Sequence, residues 1–243
     1  MKVQLQHQGQ SHTVDLNQGL DCSSTYGLAA AEPRAWYANP VKTEPVRQGD
    51  WVGEVKQGAP VNFFDVHLNP HGNGTHTECV GHISPQQQSI NQVLPGYHGI
   101  AHFCRLAPDT HAGKMVSLKA FEALNLTLDF EVLIIEVPVA FPQDFSGTNP
   151  PYFEPALLVF LRQQGIKHFI TNLPSVDPEE DAGALAAHKA FWNYPAETDL
   201  ERTITELAYF PPQLKPGAYF LNLQVAPLNN DASPSRPVLY TLD

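Results

Sequence analysis

The stretch from Glu131 to Leu173 constrains the fold more than any other part of the chain. Glu131–Val137 reads Glu-Val-Leu-Ile-Ile-Glu-Val, a short apolar run of the kind that makes a buried strand. Between Phe153 and Gly165, Leu157, Leu158 and Leu161 recur at helical spacing and Gly165 supplies a stop. Ile166–Leu173 is apolar again and reads as the next strand. A strand, a helix of about three turns and another strand form a parallel crossover unit, which makes this a mixed α/β chain.

The flanking segments fit that class. Val61–Leu68 alternates and predicts a strand. Asp177-Pro178-Glu179-Glu180 predicts a helix start, with Asp177 as cap, Pro178 in the first helical position and Glu180 completing a capping box. That helix is expected to run to about Trp192. Thr203–Phe210, Tyr219–Ala226 and Arg236–Leu242 follow as strands, and residues 1–60 as short extended pieces and turns that wrap the core. The 243 residues suit one domain spanning 1–243.

Composition excludes several classes of function. The formal net charge is −11, which leaves no basic footprint for nucleic acid and argues against docking on anionic membranes. Cys22, Cys79 and Cys104 are odd in number and widely spaced, so no disulfide framework is expected. The first residues lack an apolar core for a signal peptide, and Val132–Ile135 is far too short to span a bilayer. The expected setting is the cytoplasm. The 22 prolines and 16 glycines imply many ordered loops, where sites tend to lie.

The chemistry concentrates in Asn69–His82, which carries His71, His76, Glu78 and His82. Imidazole with carboxylate suits zinc, manganese or iron. If the chain is extended from His76 to Glu78, both side chains point to the same side and reach one cation. His71 is out of phase with them in a regular strand; Gly72 and Gly74 permit a bulge or turn that brings it back. His82 shares their parity and can stand beside the ion as a proton carrier. Further along, position alone favours His188 as a core histidine bonded to a backbone carbonyl. Glu206 sits in an apolar segment and is either paired when buried or exposed on its strand. Cys79 reads as a buried, inert thiol, and capping accounts for Asp177. Trp36, Tyr37, Phe63 and Phe64 are available as an apolar wall, though core packing is the expected use of most of them.

Gly74-Thr75-His76 and His82 resemble the signature His-x-Gly-Thr-His-x-Asp-x-Pro-x-His of the kynurenine formamidase and cyclase family. Pro174-Ser175-Val176-Asp177 followed by His188, Glu206-Leu207, and Ala226-Pro227-Leu228 with Ser233-Pro234-Ser235-Arg236 resemble later segments of it, and Leu20-Asp21 its opening strand. There are departures. The family's first histidine falls at Gly72, Glu78 stands for its aspartate, and Val80 for its proline. Either a one-residue bulge lets His71 serve or that ligand is absent.

The resemblance implies a swivelling β/β/α fold of mixed sheets flanked by helices, assembled as a homodimer or larger. It implies a site for one or two Zn2+ (or Mn2+) ions held by His71, His76, Glu78, His188 and Glu206, with His82 as the catalytic histidine. The implied activity is metal-dependent hydrolysis of amide bonds, as in an arylformamidase, on a small-molecule substrate. A lactonase, dehydratase or ring-closing enzyme on the same site, or a non-catalytic metal- or small-molecule-binding protein, are the alternatives.

Overall fold

The structure is a computed structural model that describes residues 1–27, 33–94, 96–110, 113–140 and 144–243. Among these, eight strands form the main sheet, in the order Gly217–Val225, His98–Arg105, Val132–Glu136, His168–Thr171, Thr203–Glu206, His76–Glu78, Ala232–Thr241 and Leu20–Asp21. The long Gly217–Val225 and Ala232–Thr241 strands also pair with each other, which closes the first seven into a barrel-like ring. The run from His98–Arg105 to Thr203–Glu206 is parallel, and the remaining pairings are antiparallel. The mixed α/β class and the parallel crossover read from Glu131–Leu173 are both present.

Strand alternation sorts the core into two layers. Val132, Ile134 and Ile170 pack inside the ring with Ala101, Phe103, Leu221 and Leu239. Their sequence neighbours Leu133, Ile135 and Phe169 face outward and are covered by helices. The helix Pro155–Gln163 opens with proline in its first turn and lays Leu157, Leu158 and Leu161 on that outer face, all fully buried. Each contributes roughly 1.5–3 kcal/mol by leaving water.

Three local expectations are corrected. The helix foreseen from Asp177 begins only at Ala186 and ends at Trp192, because Pro178–Leu185 forms turns stabilised by side chains. Glu180 makes no capping box there; Glu179 instead accepts from the backbone N–H of Gly147 and Asn149. The strand at Val61–Leu68 spans only Phe64–His67, is exposed along its length, and pairs with Lys42–Pro45 in a two-stranded ribbon. Trp36, Tyr37, Phe63 and Phe64 therefore do not pack in the core. The alternation at Phe64–His67 reflects the strand, but among the described residues no second layer covers it.

Candidate metal centre

The outer face of the ring carries the site. His76 lies opposite Glu206 across one antiparallel pairing, and Glu78 opposite Ile204, so all three polar side chains emerge on one face. The intervening Thr77 and Thr205 point to the other face and hydrogen-bond each other at 2.7 Å. The period of two thus places His76 and Glu78 together, as their spacing predicts.

His71 arrives by a turn. The Asn69 side-chain oxygen accepts from the N–H groups of His71 and Gly72, while Asn73 accepts from Asn69 N–H. This side-chain-closed turn returns His71 to the strand's cluster, with its Nδ1 3.1 Å from Glu78 Oε2. Gly72 is required by space, since a Cβ there would stand 2.5 Å from Ala38 Cβ. Gly74 has φ +127°, and a Cβ there would meet the Tyr26 ring at 3.0 Å. The one-residue shift from the family pattern is thus absorbed by the turn, and His71 joins the cluster with His76 and Glu78.

His188 comes from the helix Ala186–Trp192 and is buried. Its Nε2 is 3.0 Å from Glu78 Oε1 and 3.8 Å from Glu206 Oε1, and its Nδ1 is 2.6 Å from Asp177 Oδ2. Its partners are carboxylates, so the expectation of a core histidine on a backbone carbonyl is corrected. Glu206 is also buried, not exposed on its strand; its Oε2 lies 3.6 Å from His76 Nε2, and its Oε1 accepts from Val176 N–H. His82 leaves a short 3-10 turn, Val80–His82, and is partly open to solvent, its Nδ1 3.9 Å from Glu78 Oε2.

The electrostatics converge on Glu78. Burial alone would raise its carboxyl pKa, but the surrounding imidazoles of His82, His188 and His71 hold it well below the usual carboxylate range. Burial would lower His71 and His188. The carboxylates of Asp231 and Glu78 instead bring His71 up to about 10, and those of Asp177, Glu78 and Glu206 hold His188 well above its ordinary value. The Cys79 thiol is buried and pushed up to about 12, as suits an inert group.

The donors fit a divalent cation. His76 Nδ1 donates to the Gly74 carbonyl at 2.9 Å, so its Nε2 carries the lone pair. That Nε2 and Glu78 Oε2 are buried without a hydrogen bond. Leaving His76 Nε2 unpartnered costs about 1–3 kcal/mol, and Glu78 Oε2 has the His71 imidazole facing it at 3.1 Å. A cation bound at both would remove that cost. Among the described residues three triads have donor atoms all within 4.8 Å of one another: His71, His76 and Glu78; Glu78, His82 and His188; and His71, His82 and Asp231. The centre opens into a cleft of about 300 Å³ walled by Trp36, His71, His82, Asp177, His188 and Glu206. Among the described residues no lysine or arginine lines it.

Two contributors were not read as such from the sequence. Asp231, whose Oδ2 is 2.7 Å from His71 Nε2, follows two asparagines just ahead of a strand, and only its acidity in a polar turn marks it. Asp177 was read as a cap at Pro178, whereas it pairs with His188 eleven residues on.

A search of curated proteins returns no match. Among solved structures, a potential metal-dependent hydrolase with cyclase activity is similar at a TM-score of 0.67 and 14% identity, covering 92% of this chain and 97% of that one. Isatin hydrolase A from Ralstonia solanacearum is similar at a TM-score of 0.66 and 14% identity, covering 92% of each chain. A predicted metal-dependent hydrolase from Bacillus stearothermophilus is similar at 0.62 and 15% identity, covering 92% of this chain and 98% of that one. These likenesses show the fold, a ring of mixed strands with helices on its outer face. The family model described as "Putative cyclase" matches residues 14–178, more than half of the chain, and includes the Gly-Thr-His segment and His82. The chain belongs to this cyclase family.

Proposed function

We propose that the protein is a metal-dependent hydrolase of non-peptide amide bonds, similar to the arylformamidases. The observation that carries this reading is the pair of buried, unbonded donors, His76 Nε2 and Glu78 Oε2, inside a ring of His71, His188 and Glu206. His71, His76, Glu78, His188 and Glu206 are the ligands. Zinc or manganese matches the nitrogen and oxygen donor set. When bound, the cation would polarise a substrate carbonyl and lower the pKa of water toward neutrality.

The remaining roles belong to the chain. His82 is the proton carrier: it borders both the cluster and the cleft, and its side chain is partly open to solvent on the side a leaving amine would occupy. Trp36 supplies an aromatic face at the cleft mouth. Tyr37 lines the neighbouring groove instead. Among the described residues no lysine or arginine lines the cleft to recruit a carboxylate, which favours an uncharged amide such as an N-formyl arylamine or a cyclic amide. The isatin hydrolases among the structural neighbours make a cyclic amide a natural member of the test panel. Placement of His71 in the cluster removes the main reason for a non-catalytic reading, namely a missing ligand at position 72.

Phe64 and Val66 of the ribbon, with Val61 and Phe63 just ahead of it, offer an apolar surface that suits a homodimer or larger assembly. No helix among the described residues is long and apolar enough to cross a membrane.

Elemental analysis of protein supplied with zinc or manganese, combined with hydrolysis of formamides, lactams, lactones and hydroxy acids before and after chelation, tests the function. The expected result is bound metal and chelator-sensitive cleavage of an amide. Turnover confined to lactones or hydroxy acids would reassign the reaction. Bound metal with no turnover across the panel would return the protein to the class of binders.

A further inference from the structure

The polar cluster extends one residue beyond the ligand set. Asp231 occupies the turn ahead of the Ala232–Thr241 strand and is built into the site's own backbone. Its carbonyl accepts from Cys79 N–H at 3.0 Å, and the next residue, Ala232, is in register with Glu78. One carboxylate oxygen, Oδ2, lies 2.7 Å from His71 Nε2 and 3.6 Å from His82 Nδ1. The two imidazole rings it touches are 4.3 Å apart, centre to centre, and tilted by 34°.

We infer that Asp231 is a positioning residue that locks His71 in the tautomer and orientation needed to present Nδ1 to the cation, and that holds the His82 ring alongside. The inference rests on the metal-centre reading above. A neutral imidazole carries one N–H, and the partner of one nitrogen decides which form is present. In the neutral ring that cation binding requires, Nε2–H donated to Asp231 leaves the lone pair of His71 on Nδ1, the atom that faces Glu78. His71 needs this help more than His76 does. His76 is fully buried on a strand and is tied to the Gly74 carbonyl, whereas His71 hangs from a turn with its side chain about one-fifth exposed.

Asp231 does not read as a ligand in its own right, although its Oδ2 lies within 4.8 Å of donor atoms on His71 and His82. It meets the Nε2 edge of His71, while Glu78 meets the Nδ1 edge. A single ion cannot use Nδ1 and still reach the oxygen hydrogen-bonded at the other edge. Carboxylates behind a ligating histidine typically govern metal affinity by 10- to 100-fold.

The test is a cobalt(II) titration of the full chain, read by the visible absorption of the bound ion. It compares wild type, Asp231→Ala and Asp231→Asn, and adds His71→Ala with and without Asp231→Ala. The expected result is that Asp231→Ala weakens cobalt binding by about 10- to 100-fold and alters the spectrum. Asp231→Asn, whose side-chain oxygen still accepts from Nε2–H, should restore most of both. In the His71→Ala background the alanine at 231 should add nothing. Far-ultraviolet circular dichroism establishes that the variants are folded, and Asp231→Ser, too short to reach His71, replaces the alanine variant if that one is not. Wild-type affinity and spectrum in Asp231→Ala, or an equal loss with and without His71, would overturn the inference while leaving the metal centre standing. A wild-type chain that takes up no cobalt would overturn both.

Discussion

Asp177 secures His188 in two ways at once. Its Oδ2 accepts from His188 Nδ1 at 2.6 Å and from the same residue's backbone N–H at 3.1 Å, while Oδ1 accepts from Ala187 N–H at 2.7 Å. The first turn of the Ala186–Trp192 helix has no side-chain cap of its own, since Leu185 ahead of it is left-handed at φ 47°. A carboxylate from ten residues upstream satisfies the orphan donors and orients the His188 imidazole in the same stroke.

Replacing Asp177 therefore costs both stability and metal. Asp177→Ala leaves two buried backbone donors and an imidazole N–H unpaired, for a loss of about 2–4 kcal/mol. Asp177→Asn keeps an acceptor and loses less. Chemical denaturation with metal content measured on the same samples checks this. An alanine variant as stable and as well loaded as wild type would show that the contact is incidental.

His76 and His82 separate binding from turnover. His76→Ala removes a fully buried donor and is expected to abolish metal binding and hydrolysis together. His82→Ala is expected to retain the metal and lose about 10²–10⁴ in rate, the usual contribution of a general acid or base. Elemental analysis and steady-state kinetics on both variants decide the matter. Full activity in His82→Ala would leave the proton carrier unassigned.

What could be read from the sequence divides along the range of the interactions. Local patterns were enough for the strand at Val132–Glu136, the helix at Pro155–Gln163 and the same-face placement of His76 and Glu78, because each depends on residues within a few positions. The pairing of His76 with Glu206 across 130 residues was reached only through resemblance, as strand order carries no local signature. The helix start misplaced at Pro178 has a cause of the same kind. Asp177 is a cap, as read, but for donors on the far side of an eight-residue turn. Asp231 escaped because nothing near it in sequence hints at the two histidines it meets in space. The exposed ribbon aromatics were misread because alternation reports a strand and not what covers it.

Gly74 makes a sharp test of how the turn delivers His71 and His76 to the cluster. At φ +127° a side chain is strained wherever there is room, and here the Tyr26 ring stands in the way. That ring is itself anchored, with its hydroxyl donating to Thr75 O at 2.7 Å. Gly74→Ala should destabilise the fold by about 1–3 kcal/mol and also weaken metal binding, since the Gly74 carbonyl orients His76. Gly96→Ala, where nothing lies within 4 Å of the added carbon, serves as the control. Equal behaviour of the two variants would contradict the argument.

His168 should make the fold acid-sensitive independently of the metal centre. It is buried on a central strand, and burial lowers its pKa from 6.5 to about 4. Kept neutral, its Nδ1 can accept from the Thr203 hydroxyl. The unfolded chain binds this proton more readily than the folded one, so stability is at its full value above pH 6.5. It falls as the pH drops from 6.5 to about 4, and the effect is exhausted below that, where both states are protonated. A gap of this size corresponds to roughly 3 kcal/mol. Half-buried His102 is shifted down by burial too and adds to the trend, so the comparison must be with a variant and not with theory. Unfolding free energies of wild type and His168→Gln at pH 7 and pH 4, both with chelator present, isolate the contribution. The wild type should lose on the order of 2–3 kcal/mol more than the variant across that interval. Parallel losses would mean that His168 titrates normally in the folded chain, and that the strand it sits on is open to water.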